Sequence, residues 1–254
     1  MFYVFNLKKM VFNFTLLFAL AAILIGSNYV ANYTIEASAS EKRLLPIYSV
    51  ETPDKAVAIT FDCAWGADDI DDIISTLTEN DVYATFFAVG DWVKKYPDAV
   101  QKLSEAGMEI GNHSYAHAHV NKLSFEDNVK DMQNCNALIE EIIDGKVRFY
   151  RGPYGEYNNT VIKAVENLNM KVIQWDIDTL DYTGKTPEEM CKRIKAKIRN
   201  GSIILMHNDT KYTASGLQQV IDTIKGEGYE IVPLHALIYD DNYEINHEGR
   251  QFKK

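Results

Sequence analysis

The chain has 254 residues, 46% of them hydrophobic and 24% charged, which is the composition of a globular protein and a length that suits one large α/β domain. Its 26 Lys and Arg against 36 Asp and Glu give a formal net charge of −10, which repels phosphate backbones and excludes nucleic acid as an expected partner. The three cysteines, Cys63, Cys135 and Cys191, are too widely spaced for a disulfide framework or a zinc ribbon.

Lys8 and Lys9 precede an apolar run over residues 10–25. Extended through Tyr29 and Val30, the run reaches the roughly 20 residues a membrane helix requires. No polar face interrupts it, so residues 10–30 are expected to form a membrane anchor or a signal segment, with "EASAS" near Ala39 as a cleavage candidate. In both cases the two lysines stay in the cytoplasm and the remainder is exported, which places the protein at the cell membrane or makes it secreted. Residues 1–9 are then a cytoplasmic stub, 31–53 a linker, 54–240 the main domain and 241–254 a polar tail. The expected assembly state is a monomer.

From Lys55 onward two periods alternate. Short runs rich in β-branched and aromatic residues at 56–61, 82–89, 108–110, 147–150, 171–175, 202–206 and 230–232 predict strands. Apolar residues at helical spacing predict helices at 69–78, 96–106, 125–143, 160–168, 187–198 and 216–225. Ser124 with Asp127 resembles a capping box, Thr186-Pro187 sets proline at a first helical position, and Gly107, Gly145 and Gly201 stand where helices or turns end. Such alternation predicts a parallel sheet or barrel, whose chemistry collects at the C-terminal ends of the strands.

The unusual polar residues fall at those ends. "AITFDCAWG" delivers Asp62, "IGNHSYAH" His113 and His117, "FYRGPYG" Arg151 and Tyr154, "VIQWDID" Asp176 and Asp178, and "IILMH" His207. If residues 113–117 form a helical turn, His113 and His117 share one face and their imidazoles can converge on a divalent cation. The alternative is a solvated, histidine-rich loop. His119 breaks the spacing and reads as a bystander or a group supporting the other two.

"TFDCAWG", "HSYAH", "RGPYG", "DIDTLDY" and "LMH" resemble, in order and spacing, the motifs of the polysaccharide deacetylase family, carbohydrate esterase family four with its NodB-homology domain. The resemblance covers about residues 55 to 240, and the form "FDCAWG" is most similar to the sporulation-type, PdaB-like branch. It implies a distorted (β/α) barrel of about seven parallel strands and metal-assisted removal of N-acetyl groups from glycan sugars. By resemblance, Asp62 is the catalytic base, Arg151 orients it, His113 and His117 bind the metal, and the Tyr154 backbone N–H helps hold the oxyanion. Asp178 tunes His207, the general acid, and Leu205 lines the acetyl pocket. Tyr182 replaces a usual tryptophan, and Trp65 is a candidate wall of the sugar groove. The implied cofactor is a divalent ion, zinc first, with cobalt, manganese or nickel as alternatives. The implied partner is an acetylated glycan polymer, peptidoglycan or chitin-like.

One position departs from the pattern: Cys63 stands where the family has a second, metal-binding acid. A thiolate binds zinc at about 2.3 Å, so Cys63 is one candidate third ligand; Asp68 or Asp69 turning inward, or a water, are others. Cys63 can equally be a small apolar filler. The rival functional readings are therefore a weakly active or inactive glycan binder, an O-acetyl esterase on another polysaccharide, and a different metal-dependent amidohydrolase.

Overall fold

The computed structural model describes residues 7–37 and 42–254, which divide into the units Met1–Arg43 and Leu44–Lys254. The first unit contains the helix Leu7–Ala37. Among the described residues no helix is long and apolar enough to cross a membrane, so the expected membrane span at 10–30 is not met. The same helix continues past the apolar run through Ser27, Asn28, Asn32, Thr34 and Glu36. The proposed cleavage site near Ala39 lies outside the described residues.

The second unit is an α/β half-barrel. Its strands are β1 (Ser49–Val50), β2 (Ala56–Cys63), β3 (Thr85–Ala88), β4 (Glu109–Asn112), β5 (Phe149–Tyr150), β6 (Lys171–Val172), β7 (Ile177–Asp178), β8 (Ile203–His207), β9 (Glu230–Ile231), β10 (Tyr243–Ile245) and β11 (Arg250–Lys253). Seven run in the order β6-β5-β4-β3-β2-β8-β7, with β9 added beside β2, and every pairing among them is parallel. All their C-terminal ends therefore share one rim.

Side-chain alternation sets the two faces of the central strand. Val57, Ile59, Phe61 and Cys63 pack with helical residues such as Ile73, Leu77, Trp92 and Val220. Ala58 faces the other way, into a cluster with Ile47, Phe87, Phe149 and Ile203, and Thr60 and Asp62 follow it by period two. The helix Pro187–Lys197 begins with a full capping box between Thr186 and Glu189, and Ser124 caps Phe125–Glu140 by accepting from the Asp127 N–H.

Residues 44–53, expected to be linker, belong to the fold instead. Ile47 bridges Ile173 and Ser49 bridges Ser202, which closes the gap between β6 and β8, and both Ile47 and Val50 are buried. Gly201 has φ +78, and a Cβ there would strike the Val50 carbonyl, so only glycine lets the two chains approach. Residues 241–254, expected to be a polar tail, hold a strand pair: β10 is antiparallel to β11, and β11 is parallel to β1. The Gln251 side chain anchors it, exchanging hydrogen bonds with the backbone of Tyr239 (2.9 and 2.7 Å). His247 is exposed.

Candidate active site

The rim of the half-barrel surrounds a cavity of about 350 Å³ whose lining includes Asp62, Trp65, His113, His117, Tyr154, Trp175, Asp178, Tyr182, Leu205 and His207. Strand register brings two of these titratable side chains together, because Asp62 on β2 lies directly opposite His207 on β8.

Asp62 is 6% exposed and accepts a 2.7 Å hydrogen bond from Arg151 Nη1. Arg151 is wholly buried. Its Nε and Nη2 donate to the carbonyls of Ile173 and Gln174 (3.3 and 3.1 Å), and its guanidinium lies 4.2 Å from the Phe87 ring centroid. Burial alone would raise the Asp62 carboxyl, but the charge of Arg151, helped by His113 and His207, outweighs it and holds Asp62 below the usual carboxylate value. Asp62 is thus ionised and immobile.

His113 faces it. The Nδ1 of His113 lies 2.8 Å from the Arg151 carbonyl oxygen, which can only accept, so Nδ1 carries the proton and Nε2 the lone pair. Burial first, then the neighbouring His117, pushes this imidazole down to about 4. At 3.6 Å from Asp62 Oδ2 its neutral Nε2 makes no ion pair: two acceptors face one another across the gap.

His117 is not placed by a helical turn. Residues 113–119 form no helix, and left-handed backbone at Ser114 (φ 68) and His117 (φ 53) folds the loop back so that the two imidazole centroids lie 5.2 Å apart. Burial also lowers the His117 value.

The partner of His207 is Asp181, not Asp178. Asp181 Oδ1 lies 2.9 Å from His207 Nδ1, and its Oδ2 accepts from the His207 backbone N–H (2.6 Å) and the Thr213 hydroxyl (2.8 Å). Asp178 Oδ1 accepts from the Leu180 N–H, and Asp178 lines the cavity with His207 without a hydrogen bond to it. Left-handed Leu180 (φ 58) reverses the chain between the two aspartates and swings Asp181 under β8. Burial opposes protonation of His207, yet the Asp181 hydrogen bond and the charges of Asp62, Asp181 and Asp178 prevail and raise it above the ordinary histidine value. Asp176 is structural, accepting from Ile203 N–H, Ser202 and Arg199.

The walls are aromatic. Trp65, Tyr154 and Tyr182 are 57%, 63% and 53% exposed, and buried Leu205 closes the floor. Trp175 both packs on the inner core and lines the cavity. Gly66, next to Trp65, donates to Asp209 and accepts from Trp92 Nε1 and Asn208 Nδ2, so the Trp65 loop is tied to the loop after His207. Tyr154 itself has left-handed backbone (φ 59), an uncommon state for a bulky side chain and one concentrated at functional sites.

Residues 49–173 match the polysaccharide deacetylase family. A solved mutant of BA3943 from Bacillus anthracis, described as a CE4 family pseudoenzyme with restored enzymatic activity, superposes with a TM-score of 0.74 at 34% identity, covering 77% of this chain and 71% of that one. The chain belongs to the polysaccharide deacetylase family. Bacillus subtilis YlxY is 33% identical over 73% of this chain and 58% of its own length. The peptidoglycan-N-acetylglucosamine deacetylase PgdA of Listeria monocytogenes is 30% identical over 85% of this chain and 46% of its own length. This deacetylase-family chain therefore spans about half the length of these curated relatives.

Members of the family are generally metal-dependent, but the residues here do not complete a three-ligand site. Cys63, one candidate third ligand, is fully buried in the apolar layer on the far face of β2. Burial first, then the charges of Asp62 and Asp69, pushes its thiol well above the ordinary value, so it is no thiolate. Asp69 does not turn inward; it accepts from the Asp209 N–H and from Asn208. Among the described residues no group of three His, Cys, Asp or Glu is arranged to hold a metal ion.

Proposed function

We propose that this chain hydrolyses N-acetyl groups of an exported cell-wall glycan of the peptidoglycan or chitin type. The observation that carries the reading is the pairing across β2 and β8 of Asp62, whose carboxyl sits below its ordinary value, with His207, whose imidazole sits above its own, over one aromatic-walled cavity. Amide hydrolysis needs both a base for the attacking water and an acid for the departing amine.

The acetyl methyl packs against Leu205, and the carbonyl carbon sits between Asp62 and His207. Asp62 Oδ2 and His113 Nε2, both acceptors 3.6 Å apart, orient one water by accepting its two hydrogens. Asp62 takes a proton as the oxygen attacks, and the Tyr154 N–H faces the oxyanion. His207 Nε2 then gives its proton to the sugar nitrogen, the C–N bond breaks, and acetate and a free amine remain. Arg151 keeps Asp62 ionised and in place, and Asp181 fixes the tautomer of His207. A divalent ion, where a family site is complete, supplies an activated water and polarises the carbonyl.

An exported location is supported by Lys8 and Lys9 ahead of the apolar run, read as a secretory segment; fractionating cells and following the chain by immunoblot tests it. A second reading, a glycan binder with little turnover, is favoured by the burial of Cys63 and by the pseudoenzyme among the structural neighbours. Acetate release from peptidoglycan fragments and N-acetylglucosamine oligomers, with and without added zinc, cobalt or manganese, separates the two. Release supports hydrolysis; binding to the polymer with no release under any metal supports the binder.

A further inference from the structure

We propose that His119, held by Glu156 and stacked on Tyr154, is a platform that binds the pyranose ring next to the sugar in the cavity; this rests on the glycan reading of the site. His119 does not line the cavity but extends its rim. Its ring lies parallel to that of Tyr154, with centroids 4.6 Å apart at 19°. Tyr154 also meets His117 edge-on at 4.6 Å, so a chain of ring contacts leads outward from His117 to His119.

The surface is built in advance. His119 Nδ1 is 2.8 Å from Glu156 Oε1, and Glu156 Oε2 accepts from the Asn121 N–H. Glu156 is itself set by a tight turn in which Gly155 N–H donates to the Gly152 carbonyl and Glu156 N–H to that of Pro153. A Cβ on Gly152 would strike the Glu156 carbonyl oxygen, so this turn depends on glycine. The carboxylate can only accept, so Nδ1 bears hydrogen, and Nε2 is the ring atom left to meet a sugar hydroxyl. A rigid aromatic face with one polar atom at its edge suits a pyranose, whose axial C–H groups stack and whose hydroxyls donate.

Exposure points the same way. Within Leu44–Lys254 the exposed large hydrophobic residues are Trp65, Tyr83, Tyr154 and Tyr182, and three of these four ring this one mouth. An aromatic patch so concentrated marks a binding surface. A platform outside the cavity selects chains over single sugars.

The test is binding to the full chain of a methyl N-acetylglucosaminide and of an N-acetylglucosamine pentamer, followed by NMR titration and calorimetry. His119→Ala is expected to weaken the pentamer about threefold to tenfold, the range of one stacking contact, and to leave the single sugar unchanged. His119→Phe, which keeps the ring face, is expected to recover most of the loss. Unchanged pentamer affinity in His119→Ala, an equal loss for both ligands, or no recovery in His119→Phe overturns the proposal. Wild-type binding that does not improve with chain length, together with acetate release from the glycan, overturns the platform and leaves the hydrolytic reading standing.

Discussion

The two faces of β2 carry adjacent residues with opposite fates. Asp62 points inward, where Arg151 spends its donors on it and on two carbonyls, so a buried charge is fully compensated. Cys63 points outward into the apolar cluster that holds Phe61, Ile73 and Trp92, where an ion has no partner. The difference teaches that a residue's place in a motif does not decide its chemistry; the face of the strand does. An acid at position 62 meets a guanidinium, and an acid at position 63, on this backbone, would meet hydrocarbon.

The largest expected effect breaks the inward face. Asp62→Asn removes the base and should lower kcat by about 10²–10⁴-fold, measured as acetate release, with far-UV circular dichroism unchanged; full activity would mean another group activates the water. The outward face is tested by Cys63→Asp. A carboxylate there is an uncompensated buried charge and should cost about 3–5 kcal/mol in denaturant unfolding. Unchanged stability together with new zinc binding would show residue 63 reaching the cavity and would reverse the comparison.

The smallest effect sharpens the inward face further. Asp181→Asn should lower the His207 value and move the alkaline limb of the pH–rate profile to lower pH, with about a tenfold loss per unit at the alkaline end. The sign follows from His207 titrating above its ordinary value in the folded chain. Its stabilising contribution is full below the ordinary histidine value and is lost as pH rises through the raised one. The stability gap between wild type and Asp181→Asn should therefore close at alkaline pH, and an identical limb in the two proteins would exclude Asp181 as the tuning group.

Much of this was legible in the sequence, for reasons that particular residues make plain. Seven runs predicted as strands coincide with β2 to β6, β8 and β9, because β-branched and aromatic residues mark them, and Thr186-Pro187 announces its helix through cap chemistry. The strands β1, β7, β10 and β11 escape this reading: β1 sits in the stretch read as linker, β7 follows closely on the predicted run 171–175, and β10 and β11 lie in the polar stretch 241–254. The exchange of Asp178 for Asp181 hinges on left-handed Leu180, a conformation that leucine rarely adopts and that its sequence does not advertise. The same holds for Ser114 and His117, where two positive φ values do what a helical turn was expected to do. Cys63 was readable: extending the alternation of "AVAITFDC" by one step sets it beside Phe61.

The pairing of β1 with β11 stitches residues 49–50 to residues 250–251, about two hundred positions apart along the chain. A growing polypeptide cannot make that stitch until residues 250–251 have left the ribosome, so the β1–β11 pairing forms late, after the inner strands have met. Deleting residues 250–253 should leave the rim residues assembled but β1 without its β11 neighbour, and proteolysis should then begin at the segment around β1.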